Sequence, residues 1–386
     1  MSSDIRDTIP RLQHLVEHMI DQLIGLRAGS TFEQCRLRYS ATVDRLVNEG
    51  KGRRTASRVG DRDAFWSPTA EVLSEAMRLG FVQKQQLPSA RRYVDVHRDR
   101  SYVLTESGLA VLGLIEKDLA AFFDELTSAV LAAHPHIRSL IRELAERSLV
   151  YPVVSEGMVE AARRDQKSLE YWTEFAINRM DDQGNYDARR VGEAIALAIR
   201  RRFGLEAPTS KALSEALSDA FAAVALNARG LAFGATDLSV ICQWGMQLRI
   251  LDQSRYVPDF PDANVIWLAA SLTDGQATKL ERRGLSGNIG KIADSVVHAY
   301  SRFSEGAKSS LSAPYAPIYA IRASAAYEQR VTRALIDMVI ERLADGSVPG
   351  QTARVQLHLG TTNQPGSEPV FRRGGTRRYE ITIHHI

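Results

Sequence analysis

The sequence predicts a mainly helical protein with small β-hairpins. Apolar residues recur at helical spacing over most of the 386 residues, which is typical of amphipathic helices. A helical run followed by two short strand-like runs occurs three times along the chain, and this pattern indicates a helix before a hairpin. The hydrophobic fraction of 44% and the charged fraction of 25% are those of ordinary folded domains. The chain is therefore expected to fold into several modules.

The N-terminal region predicts two amphipathic helices. Apolar positions from Ile9 to Ile24 alternate with polar ones, which favours a helix over the continuous apolar core of a signal peptide. A second helical run begins at Thr31 and is expected to end at Gly50. No segment approaches the ~18 consecutive apolar residues of a membrane span, so we expect a cytoplasmic protein with no membrane contact. Cys35 and Cys242 are expected to be free, buried thiols.

The segment after the second helix predicts a helix, a strand, a loop and a second strand. Ser67 is a candidate cap and Pro68 a candidate first helical residue. The predicted order is a helix over Pro68–Leu79, a strand over Phe81–Lys84, a return strand over Arg100–Leu104, and a helix capped by Thr105 with Gly108 in its first turn. This order is expected of a winged helix-turn-helix.

This segment contains Leu79-Gly80-Phe81-Val82, then a basic stretch, and then Leu104-Thr105-Glu106-Ser107-Gly108. It resembles the C-terminal half of a winged helix of the MarR type, which commonly ends its wing on Leu-Thr-x-x-Gly. The resemblance covers about residues 32–115. It implies a DNA-binding domain whose helix before the wing enters the major groove.

The outer face of that helix weakens a prediction of base reading. Helical spacing assigns its outward positions to Thr69, Glu71, Ser74, Glu75 and Arg78. Two carboxylates would then face a polyanion, whereas base edges are read mainly by Arg, Lys, Asn or Gln. Binding through phosphate contacts from the wing and the preceding linker is therefore favoured.

Positive charge is concentrated in three loop-like stretches. The net charge of the chain is only +3, but residues 51–62 carry +4, and residues 84–100 and 360–378 carry +3 each, so the remainder is −7. Such stretches are typical either of a phosphate-binding surface or of solvated loops. The candidate DNA-binding residues are Arg53, Arg54, Arg58, Arg62, Arg78, Lys84, Arg91, Arg92, Arg98, Arg100, Arg372, Arg373, Arg377 and Arg378.

The rest of the chain predicts helices with two further hairpins. Two helices over residues 109–150 are split by His134-Pro135-His136, and an Ala-rich helical segment follows. The second hairpin follows a helix over Asp237–Gln247, with strands at Leu248–Leu251 and Val265–Ala270. The third follows a helix from about Ala320 to Leu343, with strands at Ala353–Leu359 and Tyr379–His385. The sequence leaves open whether one, two or three winged helices are present.

The domain organisation follows from these elements. The predicted parts are an N-terminal helix at 1–30, a winged-helix domain at 31–116, a helical domain at 117–230, a second winged-helix-like hairpin unit at 231–275, and C-terminal helices with a hairpin at 276–386. The second hairpin carries Asp252, Asp259 and Asp262 against Arg255 alone, so packing or partner contact is expected there instead of phosphate binding.

No catalytic or metal-binding motif is found, and we expect neither an enzyme nor a cofactor. Gly284–Ser295 fails the phosphate-loop spacing, because Leu285 stands where a glycine is required and Ile292 follows Lys291. His384 and His385 fall on opposite faces of a strand and cannot serve one site. Of the four tryptophans, Trp172, Trp244 and Trp267 are expected core residues, whereas Trp66, beside the basic linker, is left open as a base-stacking residue.

Two functional hypotheses follow from the sequence. The first is a protein that grips duplex DNA mainly through its phosphates, as a component of a DNA-processing, regulatory or defence complex. The second is a scaffold subunit without catalysis, whose winged helices dock partner proteins. A protein partner or a second copy of the chain is compatible with both hypotheses.

Overall fold

The chain forms two compact units, Met1–Arg138 with Asp274–Leu280, and Ser139–Thr273 with Glu281–Ile386. The structure is a computed structural model that describes residues 14–49, 65–85, 101–178, 187–203, 209–231, 233–269, 271–272, 280–281, 285–305, 316–346, 355–360, 371–373, 376–378 and 380–385. These residues are mainly helical with small antiparallel sheets, which confirms the predicted fold class at that level.

Unit 1 combines helices with one three-stranded sheet. Its elements are α1 (Leu15–Gly25), β1 (Ser30–Thr31), α2 (Phe32–Asn48), α3 (Trp66–Arg78), β2 (Val82–Gln85), β3 (Ser101–Leu104), α4 (Glu106–Lys117) and α5 (Leu119–Ala133). Strand β3 lies in the centre of the sheet and pairs antiparallel with both β1 and β2.

Helix α2 begins where the sequence predicts. Thr31 and Gln34 form a reciprocal capping box, in which the Thr31 hydroxyl accepts from the Gln34 amide and the Gln34 side chain accepts from the Thr31 amide. The helix ends at Asn48, before the predicted Gly50. Cys35 is fully buried on its inner face, and both cysteines are free, as predicted.

His18 is a buried ring in the core of unit 1. It is 3% exposed and stacks on Tyr39 with ring centroids 3.9 Å apart. Burial lowers the pKa of His18 to about 4, since the apolar surroundings disfavour the charged imidazolium; nearby charges are secondary.

The depressed pKa of His18 predicts that unit 1 loses stability in acid. A neutral His18 contributes fully above its unfolded pKa of about 6.5, and the contribution is lost as pH falls from there through 4. We expect the free energy of unfolding of unit 1 to be roughly 2 kcal/mol lower at pH 5 than at pH 8. Hydrogen exchange of α1 and α2, corrected for intrinsic rates, measures it. His18→Phe keeps the ring stack and should flatten this dependence; an unchanged profile would contradict the assignment.

Unit 2 holds the remaining elements. Its helices are α6 (Pro135–Glu146), whose first residues belong to unit 1, α7 (Glu156–Arg164), α8 (Gln166–Asn178), α9 (Ala188–Phe203), α10 (Ser210–Asn227), α11 (Ala235–Gln247), α12 (Leu285–Glu305), α13 (Ile318–Gln329) and α14 (Arg333–Ala344). Its strands are β4 (Leu149–Pro152), β5 (Leu251–Ser254), β6 (Ala263–Leu268), β7 (Ser271–Leu272), β8 (Leu280–Glu281), which spans the unit boundary, β9 (Ala316–Pro317), β10 (Val355–Gly360), β11 (Phe371–Arg373), β12 (Thr376–Arg378) and β13 (Glu380–His385).

The same topology occurs three times among the described elements. In unit 1 a short strand, two helices and a hairpin give the sheet order β1-β3-β2. Unit 2 repeats it as β4-β6-β5, with α7, α8 and α9 inserted before α10 and α11. It repeats it again as β9-β13-β10 around α13 and α14, with the hairpin β11-β12 inserted before β13. In each sheet the last strand lies in the centre.

The two repeats of unit 2 share one hydrophobic core. Val265 and Trp267 of β6 lie in the same buried cluster as residues of α12, α13 and α14. The Trp267 indole nitrogen donates to the Val331 carbonyl at 3.0 Å, so a large buried ring is held in one orientation. Trp244 is also buried, which confirms the expectation that these two tryptophans are core residues.

Several predicted element boundaries are wrong. Strand β4 begins at Leu149, so the last two residues of the segment predicted as helix, which ends at about Val150, are strand. The run predicted as one helix over residues 109–133 breaks at Asp118, whose backbone leaves the helical region (φ −148°, ψ 88°). The predicted helix Ala320–Leu343 is likewise two helices, separated at Arg330, which adopts a left-handed conformation with φ 52°. Gly290 and Lys291, from the segment that fails the phosphate-loop spacing, lie inside α12. Apolar spacing alone does not detect such breaks.

Candidate nucleic-acid interface

Helix α3 is the helix that precedes the first hairpin. It begins at Trp66, with Phe65 in the cap position, so the predicted cap at Ser67 and start at Pro68 are wrong by two residues. Val72, Leu73 and Ala76 bury its inner face. On the outer side Ser67 and Ser74 are exposed, and Glu71 and Arg78 are half-buried.

Two residues assigned to the outer face of α3 are buried. Thr69 is fully buried, and its hydroxyl donates to the Phe65 carbonyl at 2.6 Å. Glu75 is 2% exposed, and its carboxylate lies 2.5 Å from Nε2 of His134, at the junction of α5 and α6. Because another part of the unit covers this side of α3, the acidic outer face predicted from helical spacing is wrong. Of the two carboxylates only Glu71 remains partly open to solvent.

Arg78 lies close to the buried carboxylate. Its Nε is 3.8 Å from Glu75 Oε2, and its side chain is 28% exposed. The charge of Arg78 is therefore partly balanced within the unit, which reduces its value for a phosphate contact. Lys84, in contrast, is exposed on β2, where three consecutive residues up to Gln85 are open to solvent.

The Leu-Thr-x-x-Gly stretch holds the hairpin against α3. The Thr105 hydroxyl accepts from the Gly108 amide at 3.0 Å and donates to the Gly80 carbonyl at 2.6 Å. A Cβ at position 108 would lie only 2.0 Å from the Phe81 carbonyl oxygen, so this position requires glycine. The predicted cap at Thr105 is confirmed, and it fixes the first turn of α4 to the turn between α3 and β2.

The register of β2 and β3 places the ends of the basic segment together. Lys84 pairs with Tyr102 and Gln85 with Ser101. Residues 86–100 therefore leave and re-enter the sheet at the same end. Residues 50–64 similarly connect α2 to the cap of α3. The predicted site residues that fall in these two connections lie outside the described part of the chain: Arg53, Arg54, Arg58, Arg62, Arg91, Arg92, Arg98 and Arg100.

The four C-terminal arginines lie on one small hairpin. Strands β11 and β12 pair antiparallel, with Arg372 opposite Arg377, Arg373 opposite Thr376, and Phe371 opposite Arg378. The pairing brings all four backbone positions into one two-stranded element. The predicted strand Tyr379–His385 corresponds to β13, which begins at Glu380.

The acidic second hairpin is more structural than the sequence suggests. Asp252 is 4% exposed on β5 and binds the Arg333 guanidinium, with Oδ1 2.9 Å from Nη2. Of the three aspartates that made this hairpin acidic in the sequence, only Asp259 and Asp262 are exposed. The strand itself begins at Leu251, three residues after the predicted start, so Asp252 is a ladder residue and not part of an acidic loop.

Trp66 packs within unit 1. Its ring centroid lies 4.4 Å from that of Phe32, and the side chain is half-buried at the start of α3. Trp172 is also half-buried and lines a cavity of about 240 Å³ in unit 2. The prediction that it is a core residue is therefore met only in part.

The described residues contain no group of three or more His, Cys, Asp or Glu side chains that could hold a metal ion. None of the helices in the described ranges is both long enough and apolar enough to cross a membrane. His134, singled out as part of a helix-breaking turn, lies between α5 and α6 as predicted and binds Glu75.

Comparison with known proteins gives no relative, since no family model, no curated protein and no solved structure matches the chain.

Proposed function

We propose that unit 1 is a winged helix-turn-helix domain of the MarR type and that the protein binds duplex DNA mainly through phosphate contacts. The order α1-β1-α2-α3-β2-β3 and the sheet order β1-β3-β2 support the domain assignment. In such domains the helix before the hairpin approaches the major groove and the hairpin contacts the adjacent backbone.

The observation that carries this proposal is the pairing of β2 with β3. Because Gln85 pairs with Ser101, the connection through residues 86–100, which carries Arg91, Arg92, Arg98 and Arg100, begins and ends at the same end of the sheet, one strand after α3. The other basic segment, residues 50–64, ends at the cap of the same helix. Both stretches of positive charge are thereby attached close to α3 in the chain, and Lys84 is an exposed cation just before the second of them begins.

The outer face of α3 favours contacts to the phosphates over base reading. It presents Ser67, Ser74, Glu71 and Arg78, of which only Arg78 is a strong donor to base edges, and that side chain neighbours Glu75. With Glu75 buried, the repulsion expected from two carboxylates is reduced to that of Glu71. This face can therefore lie near DNA, but it offers few side chains that would distinguish one base sequence from another.

Neutralising the wing tests the proposal. We expect Arg91→Gln/Arg92→Gln/Arg98→Gln/Arg100→Gln in the full chain to weaken binding to all duplexes alike. The slope of log affinity against log salt should become shallower by about 0.9 for each phosphate that the variant no longer neutralises. Fluorescence anisotropy with a random-sequence duplex measures both quantities.

A matched control for the wing variant is Arg27→Gln, because Arg27 is an exposed cation of unit 1 that pairs with Glu116. This control should leave affinity and salt slope unchanged. If the wing variant matched the wild type in both, unit 1 would not be the DNA-binding domain.

A scaffold function for unit 2 is the second candidate. The outer faces of its helices before the hairpins carry little positive charge: α11 exposes Thr236 and Ser239. The start of α14 is closed by the buried contact of Arg333 with Asp252. Beside the cavity, Tyr171 is 64% exposed and Phe175 43% exposed, and aromatic side chains are enriched at protein interfaces. A protein that copurifies with the chain and is released by Tyr171→Ser/Phe175→Ser would support this function.

A further inference from the structure

The three helices inserted into unit 2 place an excess of cations at one corner. Helix α9 packs on α8 with Gly192 against Thr173. Helix α9 ends at Phe203, seven residues before Ser210, and the Ser210 hydroxyl accepts from Arg163 at the end of α7. The electrostatic influence of Arg200 on Asp165, just before α8, agrees with an antiparallel arrangement of α8 and α9. The end of α7, the start of α8 and the end of α9 therefore meet. The basic corner consists of Arg163, Arg164, Lys167, Arg200, Arg201 and Arg202.

The basic corner is open to solvent. All six side chains are exposed. Residues 163–167 and 200–202 together carry a net charge of +5, with Asp165 as the only carboxylate. Arg163 contacts Glu160 at 3.4 Å and donates to the Ser210 hydroxyl at the start of α10. In the described part of the chain no carboxylate lies within ion-pair distance of Arg200, Arg201 or Arg202.

The two ends of α9 differ in whether their arginines have an ion-pair partner among the described residues. At its N-terminal end Arg189 pairs with Glu193 at 3.1 Å and Arg190 with Asp187 at 3.2 Å, so each cation has a local counter-charge. Cations at a helix C-terminus complement the helix dipole, but that effect contributes only about 0.3–1 kcal/mol each and does not require three consecutive arginines. Arg163 has a partner in Glu160, and Arg202 lies over the Phe203 ring, which leaves its charge unbalanced. The three arginines at the end of α9 have no such counter-charge in the described residues and can bind an external anion.

We propose that the basic corner of unit 2 is a second nucleic-acid contact, which binds the phosphate backbone through Arg200, Arg201 and Arg202. Five of its six cations are arginines, whose planar guanidinium binds phosphate oxygens in a bidentate manner. Packed helix axes lie about 8–10 Å apart, so cations on neighbouring helix ends can reach successive phosphates of one strand.

Nucleic acid fits the corner better than a lipid surface does. Binding in a membrane interface requires an apolar face next to the cations. The exposed large apolar side chains beside the corner are Tyr171 and Leu197, each four residues from a cation and so on the same side of its helix. Six cations against two such side chains make this surface mainly charged, and an interfacial helix needs a broader apolar face. This contact is separate from the wing of unit 1, so each can be tested by its own variant.

The test compares the two ends of α9 in the full chain. We expect Arg200→Gln/Arg201→Gln/Arg202→Gln to lower affinity for a random-sequence duplex at low salt by about tenfold or more and to make the salt slope shallower by about 2–3. The matched control, Arg189→Gln/Arg190→Gln, changes two exposed arginines of the same helix and should stay within about twofold of the wild type. Glutamine is a good helix former, and circular dichroism checks that α9 persists.

A second variant, Arg164→Gln/Lys167→Gln, tests the corner through α7 and α8 and should reduce the slope by about 1–2. Wild-type affinity and slope in both corner variants would overturn the proposal, as would equal losses in the control. Vesicles of anionic phospholipid provide the other arm: a triple variant that loses vesicle binding but keeps duplex binding would assign the corner to lipid and overturn the proposal. If the corner variant binds DNA more weakly while the wing variant binds it like the wild type, only the function proposed for unit 1 is contradicted.

Discussion

Asp252→Ala is expected to lower the free energy of unfolding of unit 2 by about 3–5 kcal/mol. Asp252 and Arg333 are 4% and 8% exposed. The carboxylate accepts from the Arg333 amide at 2.6 Å, and from Nε at 3.1 Å and Nη2 at 2.9 Å. The substitution removes the carboxylate that binds the buried Arg333 guanidinium directly, and it removes the acceptor for the first amide of α14.

Hydrogen exchange of β5 and α14 in the full chain measures the destabilisation due to Asp252→Ala. Asp259→Ala is the matched control, because Asp259 is an exposed carboxylate of the same hairpin, 3.9 Å from Arg302; a change below about 0.5 kcal/mol is expected. Asp252→Leu combined with Arg333→Leu should recover part of the stability, since neither residue of this ion pair is then left buried without the other. A destabilisation under about 1 kcal/mol in Asp252→Ala would contradict the importance of this ion pair.

His134→Leu is expected to destabilise unit 1 by about 3 kcal/mol or more. Both His134 and Glu75 have side chains only 1% exposed, so water cannot replace the imidazole as a partner of the Glu75 carboxylate. Arg78 at 3.8 Å remains, but at the edge of ion-pair distance. Protection of α3 amides from hydrogen exchange is the measurement, because Glu75 lies on this helix.

Two further variants separate the interaction of His134 with Glu75 from general effects. Glu75→Gln keeps a hydrogen-bonding group toward His134 and should cost about 1 kcal/mol. His136→Leu changes a half-buried histidine two residues away and should have a smaller effect than His134→Leu. Equal destabilisation in the two histidine variants would argue against a specific role of the pair with Glu75.

The local signals in the sequence predicted the elements around the first hairpin well. Thr31 and Thr105 begin helices because their hydroxyls accept from amides three residues on, and both motifs are contiguous in sequence. Gly108 is required because a Cβ at this position would collide with the Phe81 carbonyl, which belongs to the turn between α3 and β2. Elements without such signals were placed less well. Strand β4, which starts in the last two residues of a predicted helix, pairs with β6 more than a hundred residues later.

The candidate site was predicted in part. The basic stretches are visible as composition, but their attachment beside α3 depends on the register of β2 and β3. The basic corner was missed, although Arg163-Arg164 and Arg200-Arg201-Arg202 stand in the sequence as runs. Each run is ordinary for a helix C-terminus, and only the antiparallel packing of α8 and α9 unites them.

By itself the sequence determined the helical class, the hairpins, the free cysteines and the uneven distribution of charge, because spacing and composition act over a few neighbouring residues. The tertiary structure decided which charges are available. Glu75 and Asp252 look like surface carboxylates in sequence, yet His134 and Arg333 hold them in the interior. Burial and ion pairing are set by residues distant in the chain, and these govern whether a charged side chain stabilises the fold or faces a partner.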